Sequence, residues 1–174
     1  MNSPTIALSP DEEDRAVSIR GGKVLTFTLG KEGYGITITK IREIIGMMPI
    51  TKVPRTSDFV KGVINLRGRV IPVIDLRMRF GMEDMDYTDR TCIVIVEVVA
   101  NNGTVQMGII VDSVSEVLNI QEGDVEAAPD LSAGDRTRYI MGMAKIGESV
   151  KILIDIDRVL GEKAIDEVER AVAS

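Results

Sequence analysis

Residues 62–81 read GVINLRGRVIPVIDLRMRFG. Two apolar runs flank the charged step Arg67-Gly68-Arg69, and Asp75 lies inside the second run. Short runs rich in Val and Ile that are separated by glycine are typical of a β-hairpin. The stretch therefore leaves two readings open: it forms the floor of a catalytic site, or it is a hairpin that presents Arg67 to a partner.

The rest of the chain is predicted to be β-structure. Apolar residues alternate over 23–29, a turn follows at 30–33, and residues 34–45 are predicted to return as the second strand of a hairpin. Four later runs are short, β-branched and bounded by Gly or Pro, which favours an all-β barrel or sandwich; they are 70–76, 92–99, 105–111 and 150–156. Only the end of the chain has helical spacing, so residues 162–174 are predicted to form a C-terminal helix.

The chain also contains an internal repeat. GITITKIREII at 35–45 matches GIIVDSVSEVL at 108–118, so that Ile44 corresponds to Val117. GVINLRGRVIPVIDLRMR at 62–79 matches GMAKIGESVKILIDIDRV at 142–159 in the same order. This pattern predicts two similar β-modules, about 23–82 and 90–161, with strands that can be exchanged between them.

The repeat separates residues that serve the fold from candidates for function. Both copies keep the two glycines, the apolar run and the aspartate, which we predict to turn or cap the chain after its strand. The second copy has Lys145-Ile146-Gly147 where the first has Asn65-Leu66-Arg67. Since the fold does not require Arg67 in both copies, Arg67 is the better candidate for function.

Composition excludes several classes of function. The 174 residues are 44% hydrophobic but only 3% aromatic, so an aliphatic core is expected, and the net charge of −6 argues against nucleic-acid binding. The absence of histidine removes the commonest general base and metal ligand. The single cysteine, Cys92, lies in a strand-like run and is predicted to be a buried apolar thiol. We therefore predict no catalytic residue, no metal and no cofactor.

The ends of the chain suggest no membrane targeting. Residues 1–22 mix Pro and Ser with an acidic run at 11–14 and are predicted to be a mobile acidic tail rather than a signal peptide. No apolar run is long enough to span a membrane as a helix. A cytoplasmic protein without membrane insertion is expected.

The segment IREII at 41–45 offers a candidate binding surface. Ile41, Ile44 and Ile45 cannot all face one core if the segment is a strand, so one side is predicted to be an exposed apolar strip beside Arg42 and Glu43. The alternative is that all three isoleucines are buried between the two modules.

These residues together resemble the CheW family of bacterial chemotaxis adaptors. The resemblance covers residues 23–161 and rests on YGITITKIREIIG, FVKGVINLRGRVIPVIDLRMRFG, GIIVDSVSEVL and ILIDIDRVL. It implies two five-stranded, SH3-like barrels packed on a shared hydrophobic seam. It also implies a non-enzymatic scaffold, monomeric in isolation, that couples chemoreceptor tips to the histidine kinase CheA in membrane-associated arrays.

Site residues follow from the same resemblance. The receptor-binding groove would include Ile41, Glu43, Ile44, Cys92 and Val111. The kinase-binding surface would include Lys61, Gly62 and Arg67. For Arg67 three roles stay open: contact with the kinase, contact with the receptor, or an ion pair with Glu43 that only shapes the surface.

Two departures from the family pattern and two rival functions remain at this point. Ser57-Asp58-Phe59 stands where many members have a proline before the phenylalanine, and Cys92 occupies a position often held by valine.

A β-barrel sensor that binds a metabolite between its halves is the alternative function. The same adaptor role in a chemosensory pathway that does not control flagella is another.

Overall fold

The computed structural model of the protein describes residues 21–100, 103–126, 139–159, 166, 167 and 170. These residues include eleven strands, a short helix and further helical residues after the last strand. The strands are β1 (Gly21–Leu29), β2 (Glu32–Thr37), β3 (Ile41–Gly46), β4 (Val60–Leu66), β5 (Arg69–Asp75), β6 (Cys92–Ala100), β7 (Gly103–Val111), β8 (Ser113–Gln121), β9 (Val125–Glu126), β10 (Ile140–Ile146) and β11 (Ser149–Ile154). The helix α1 (Leu76–Arg79) follows β5, and single 3-10 turns lie at Ile38–Lys40 and Glu122–Asp124.

The strands form two sheets that each draw on both copies of the repeat. One sheet has the order β8-β1-β2-β11-β10-β9, and the other has the order β3-β6-β7-β5-β4. The repeat makes five pairs of strands equivalent: β1 and β6, β2 and β7, β3 and β8, β4 and β10, and β5 and β11. Replacing each strand of β8-β1-β2-β11-β10 by its equivalent gives the order of the five-stranded sheet. The copies have therefore exchanged segments: β2 pairs in parallel with β11, and β7 pairs in parallel with β5.

The two copies of the decisive hairpin share two local features. The register shifts by one residue between Val60 and Gly62, and again between Ile140 and Gly142. The N–H of Asp75 donates to the carbonyl of Phe59 at 2.7 Å, and the N–H of Asp155 donates to that of Tyr139 at the same distance. The carboxylate of Asp75 then accepts from the N–H of Met78 and caps α1, as the sequence predicted.

Three hydrophobic clusters lie in and between the sheets. The largest, here called the seam, contains residues from both sheets, among them Leu25, Phe27, Val94, Ile109 and Ile154. A second cluster is lined by one face of the five-stranded sheet alone, which curls around it to form a barrel. A third cluster is enclosed in the same way by the six-stranded sheet. The predicted all-β fold of two barrels on a shared seam is therefore confirmed.

Burial on two faces explains the unbroken apolar runs of the sequence. Ile93 and Ile95 in β6 point into the barrel of the five-stranded sheet, here called the first barrel, whereas Val94 and Val96 point into the seam. A strand that is buried on both faces is apolar at every position, so its sequence does not alternate. Thr26, buried in β1, is satisfied because its hydroxyl bonds both the carbonyl and the N–H of Glu116 at the bulge between β1 and β8.

Some predicted boundaries differ from the structure. The predicted single strand at 34–45 is wrong, because the 3-10 turn at Ile38–Lys40 divides it into β2 and β3, which belong to different sheets. The predicted modules, about 23–82 and 90–161, allowed for exchanged strands, and each sheet takes strands from both segments.

The predicted ends of the chain are only partly described. The first strand begins at Gly21, two residues inside the predicted tail, and residues 1–20 lie outside the described residues. At the other end, a helical turn occupies residues 156–159. Asp166, Glu167 and Arg170 are helical, and the rest of the predicted helix at 162–174 lies outside the described residues.

Candidate functional site

Arg67 lies at the tip of the β4–β5 hairpin in a conformation that is unusual for its residue type. The two-residue turn Arg67-Gly68 has φ values of 53° and 84°, and the side chain of Asn65 accepts from the N–H of Gly68 at 2.9 Å. Positive φ costs a non-glycine residue about 1–2 kcal/mol. The matching turn of the second copy begins with Gly147, at φ 60°, where this cost is absent. The first copy thus keeps an arginine at a position that favours glycine.

The Arg67 side chain is directed by an ion pair with Glu43. The guanidinium donates to the carboxylate of Glu43, which lies on the edge strand β3. This hydrogen bond lowers the pKa of Glu43 below its ordinary value of 4.5, although desolvation acts in the opposite direction. Because a lowered carboxyl pKa keeps the group ionised, the pair is present at neutral pH and is lost as the pH falls through the lowered pKa. The Arg67 side chain remains 68% exposed, so the pair leaves it accessible.

Lys61 and Gly62, the other two predicted kinase-binding residues, lie on β4 in the same hairpin. The ammonium group of Lys61 is 3.9 Å from the carboxylate of Asp84 and is half-buried. Gly62 has a φ of 144°, and a Cβ at this position would lie 2.0 Å from the carbonyl oxygen of Thr51. Gly62 is therefore required by the close passage of the chain at Thr51, whether or not a partner touches it.

Four of the five predicted receptor-binding residues share one face of the five-stranded sheet. A register shift in β3 places Ile41 opposite Val96 and Ile44 opposite Val94, on the seam side. Cys92 lies opposite Val111 on the same side. Ile44 is 43% exposed, Ile41 and Cys92 are half-buried, and Val111 is 1% exposed. An apolar strip of Ile41, Ile44 and Cys92 thus borders solvent, with Val111 beneath it.

Glu43 does not belong to this strip. It lies opposite Ile95, whose side chain points into the barrel, so Glu43 faces the rim of the barrel, where it meets Arg67. Ile45 packs against the same barrel core. The predicted exposed strip on IREII is therefore reduced to Ile44 with half-buried Ile41, and the alternative of complete burial is wrong.

Sequence reasoning missed the equivalent position in the second copy. Val117 on β8 is 50% exposed, and it lies opposite Leu25 just as Ile44 lies opposite Val94. The internal repeat had already aligned Ile44 with Val117, so the signal was present in the sequence. Ile44 and Val117 are thus exposed aliphatic residues at equivalent positions of the two sheets.

The described residues contain little that could serve catalysis or ligand binding. Among them, no group of three His, Cys, Asp or Glu side chains is arranged to hold a metal ion. An apolar cavity of about 150 Å³ is lined by residues that include Tyr34, Phe80 and Tyr139. This volume is below the roughly 300–1,000 Å³ of typical small-molecule sites. None of the helices in the described part of the chain is long and apolar enough to cross a membrane.

Comparison with known proteins identifies the family. The family model of the CheW-like domain matches residues 23–164. The chain belongs to the CheW family. A chemotaxis protein CheW from Klebsiella aerogenes is 38% identical over 154 residues, which are 88% of this chain and 90% of that protein. CheW from Rhizobium meliloti is 31% identical over 139 residues, covering 80% of this chain and 87% of that one.

A solved CheW structure has the same fold. The crystal structure of the scaffolding protein TtCheW from Thermoanaerobacter tengcongensis matches with a TM-score of 0.74 and 35% sequence identity. The match covers 83% of this chain and 95% of that one. Membership of the CheW family confirms the predicted chemotaxis adaptor without enzymatic activity.

Proposed function

We propose that this CheW protein couples the cytoplasmic tips of chemoreceptors to the histidine kinase CheA, and so controls CheA autophosphorylation. One observation carries the proposal: an exposed arginine occupies a left-handed turn position that the second copy gives to Gly147. Unfavourable backbone conformations are found where function requires a particular side chain. The protein would act in the cytoplasm as a monomer that is recruited to membrane-associated receptor arrays, and it would need no cofactor.

The two partners would use different faces of the first barrel. The kinase would contact the hairpin tip at Arg67 together with Lys61, on the rim that also carries Glu43. The receptor tip, a helical hairpin, would lay its apolar side on Ile41, Ile44 and Cys92, because helices bind grooves through side chains spaced three and four residues apart. Contacts of this size give weak individual binding, which an array strengthens by engaging many of them together.

A metabolite-sensing function is less well supported. Its natural site would lie between the two barrels, where residues of the seam line the apolar cavity near Tyr139. The volume of this cavity, about 150 Å³, is below the roughly 300–1,000 Å³ of typical small-molecule sites.

Replacement of Arg67 by glutamate is expected to abolish binding to CheA. Calorimetric titration with the isolated regulatory domain of CheA should give micromolar or tighter binding for the wild type and no measurable binding for Arg67→Glu. Thermal unfolding should be nearly unchanged, since exposed ion pairs contribute little to stability. Failure of the wild type to bind would contradict the adaptor proposal.

Glu43→Gln separates the possible roles of Arg67. This variant removes the ion pair but leaves the guanidinium in place. Retained kinase binding would mean that Arg67 contacts the kinase directly. Binding lost in both variants would mean that Arg67 acts by shaping the surface with Glu43. Binding to the kinase that survives Arg67→Glu would exclude the hairpin tip from this interface.

Replacement of Ile44 by aspartate is expected to weaken binding to a receptor tip by about tenfold or more, because a buried apolar contact would be replaced by a desolvated charge. Ile44 is 43% exposed, so the fold should tolerate the change. Val117→Asp is the matched control, with similar exposure at the equivalent position of the other sheet. Titration of both variants with a helical-hairpin receptor fragment checks the assignment. An equal loss in both variants would contradict a receptor surface confined to β3.

A further inference from the structure

The exchange of segments between the two copies raises a question of specificity. The first half of the chain (residues 21–88) and the second half (residues 89–159) contain matching strands. Each half could therefore pair its own strands instead, here called self-pairing, either within itself or with the same half of a second molecule. The matching apolar faces do not distinguish self-pairing from the observed exchange. The charged residues at the crossing points do.

The first crossing lies where β7 leads into β8. Asp112, between these strands, accepts two hydrogen bonds of 2.6 Å from the guanidinium of Arg77 in α1. It also accepts from the N–H of Gly30 at 2.7 Å. Arg77 has an 11% exposed side chain. Burial acts to raise the pKa of Asp112, but Arg77 and Gly30 hold it below its ordinary value of 3.8. An anion of the second half here meets a cation of the first.

The second crossing lies where β2 leads into β3. Lys40, in the 3-10 turn between these strands, donates to the carboxylate of Asp157 at 2.7 Å. The other oxygen of Asp157 accepts from the N–H of Val99 at 2.9 Å. The side chain of Asp157 is 12% exposed. A cation of the first half here meets an anion of the second.

The two crossings occupy equivalent places to within one residue, since the repeat aligns Lys40 with Ser113 beside Asp112, but they have opposite polarity. Arg77 lies two residues after Asp75, which ends β5, and Asp157 lies two residues after Asp155, which begins the turn after β11. Arg77 and Asp157 are therefore equivalent positions of the repeat. Leu25 pairs with Val117 as Val94 pairs with Ile44, so Leu25 and Val94 are equivalent. Gly30 and Val99, each five residues further along the chain, are then equivalent as well. At this equivalent position, the residue after β5 is the cation Arg77 and the residue after β11 is the anion Asp157.

This reversal penalises self-pairing at both crossings. The carboxyl ends of adjacent parallel strands lie side by side, as β2 and β11 do here. If β2 paired with β5 of its own half, Lys40 would meet Arg77. If β7 paired with β11 of its own half, Asp112 would meet Asp157. Like charges placed together in a poorly hydrated site are strongly unfavourable.

Other charges agree with this arrangement. The described ion pairs that join the two halves are Lys40–Asp157, Arg42–Glu97 and Arg77–Asp112, and the first half supplies the cation in each. Residues 21–88 contain 11 basic and 7 acidic side chains, whereas residues 89–159 contain 6 basic and 12 acidic ones. Asp75, beside Arg77, belongs to the first half and would accompany Arg77 in either arrangement, so it does not discriminate.

We propose that the opposite polarity of the Arg77–Asp112 and Lys40–Asp157 pairs specifies the exchanged pairing of the two halves and disfavours self-pairing within one chain or between two copies. The pairs thus select the partner of each segment, in addition to any stability that they add. Selection by repulsion in the wrong assembly is a general route to specificity.

Reversal of one pair at a time tests the proposal. Arg77→Asp with Asp112→Arg keeps opposite charges at the native crossing but makes both self-paired crossings favourable. Lys40→Asp with Asp157→Lys does the same at the other site. Reversal of all four residues restores the discrimination with inverted signs. The full-length proteins are refolded from urea at equal concentration, and their association is measured by size-exclusion chromatography with light scattering.

The proposal predicts a non-monotonic result. Wild type and the fourfold variant should refold to monomer, and each double variant should give a several-fold larger fraction of dimers and higher assemblies. If the pairs only add stability, the fourfold variant should be worse than either double variant, which would overturn the proposal. Recovery of as much monomer from both double variants as from wild type would overturn it as well, provided that nuclear Overhauser contacts still join β2 to β11 and β5 to β7 in that monomer.

One control covers a variant that fails to fold. If Arg77→Asp with Asp112→Arg is unfolded, the Lys40–Asp157 site is tested alone. There the charge reversal should produce more association than Lys40→Ala with Asp157→Ala, which removes the pair without making self-pairing favourable. Equal association in these two variants would overturn the proposal.

Discussion

Replacement of Gly62 by alanine is expected to destabilise the protein by about 3 kcal/mol or more. The residue has a φ of 144°, which L-residues rarely adopt, and a Cβ there would lie 2.0 Å from the carbonyl oxygen of Thr51. That carbonyl accepts from the N–H of Val63 at 2.9 Å, and the N–H of Thr51 donates to the carbonyl of Val63 at the same distance. The methyl group can be accommodated only if the chain at Thr51 moves away and both hydrogen bonds are lost. Urea unfolding followed by circular dichroism measures the effect.

Two other glycines provide controls for Gly62. Gly68 has a φ of 84° with nothing within 4 Å of its Cβ position, so Gly68→Ala should cost only the backbone strain, about 1 kcal/mol. Gly142, at the matching bulge of the second copy, would place a Cβ 2.9 Å from the carbonyl oxygen of Glu126, which is a milder clash. The expected loss of stability is largest for Gly62 and smaller for both controls. Equal losses at Gly62 and Gly68 would contradict the steric argument.

The steric role of Gly62 affects how mutations in the hairpin should be interpreted. The sequence placed Gly62 among the predicted kinase-binding residues, next to Lys61 and Arg67. The structure gives Gly62 a backbone role, so a Gly62 variant that loses kinase binding would report on folding first. Arg67, at the exposed tip, is the residue at which a binding defect can be separated from a folding defect.

The hairpin and its repeat could be predicted because their signals are local. Arg67-Gly68 lies between two β-branched runs, and Asp75 follows the second run as a cap, so the turn, the strands and the cap can be read from adjacent residues, although the helix α1 after the cap was not predicted. The matching residues around Asp155 repeat the same local signals. The existence of two β-modules followed from this repetition.

The repeat allowed for an exchange of strands, but which strands are exchanged could not be predicted from the apolar pattern. β2 buries the same side chains whether it pairs with β5 or with β11, because the two strands are copies of each other. The break at Ile38–Lys40 has no glycine or proline, and its Ile-Thr-Lys sequence is compatible with a continuous strand. The information lies instead in long-range charge complementarity, at Lys40 and Asp157, which becomes visible only when the partners are known.

The apolar strip on β3 was predicted only in part, for a related reason. The isoleucines of β3 indicate a strand with one exposed side, but the register shift after Ile41 decides which residues share that side. This shift places Ile41 and Ile44 together and turns Glu43 to the other face. A bulge depends on the partner strand β6, so the grouping of these side chains could not be derived from β3 alone.

Replacement of Phe27 by alanine is expected to destabilise both barrels together, by about 3–5 kcal/mol. Phe27 is fully buried in the seam, and its ring stacks on that of Tyr34 with centroids 5.8 Å apart. Although Phe27 belongs to the six-stranded sheet, the seam also contains Val94 and Ile109 of the five-stranded sheet. A cavity at Phe27 therefore removes contacts from both sheets, and the exchange of segments prevents one barrel from unfolding while the other remains intact.

Amide hydrogen exchange resolves whether the two barrels respond together. In Phe27→Ala, protection should fall by the same free energy in β5 of one sheet and in β11 of the other, and urea unfolding should remain a single transition. Val117→Ala, on the same sheet as Phe27 but 50% exposed, should change stability by less than about 0.5 kcal/mol. A loss of protection confined to the six-stranded sheet would mean that the barrels are independent units. In that case the seam would be an interface between domains, and the shared core would not set the stability of the adaptor.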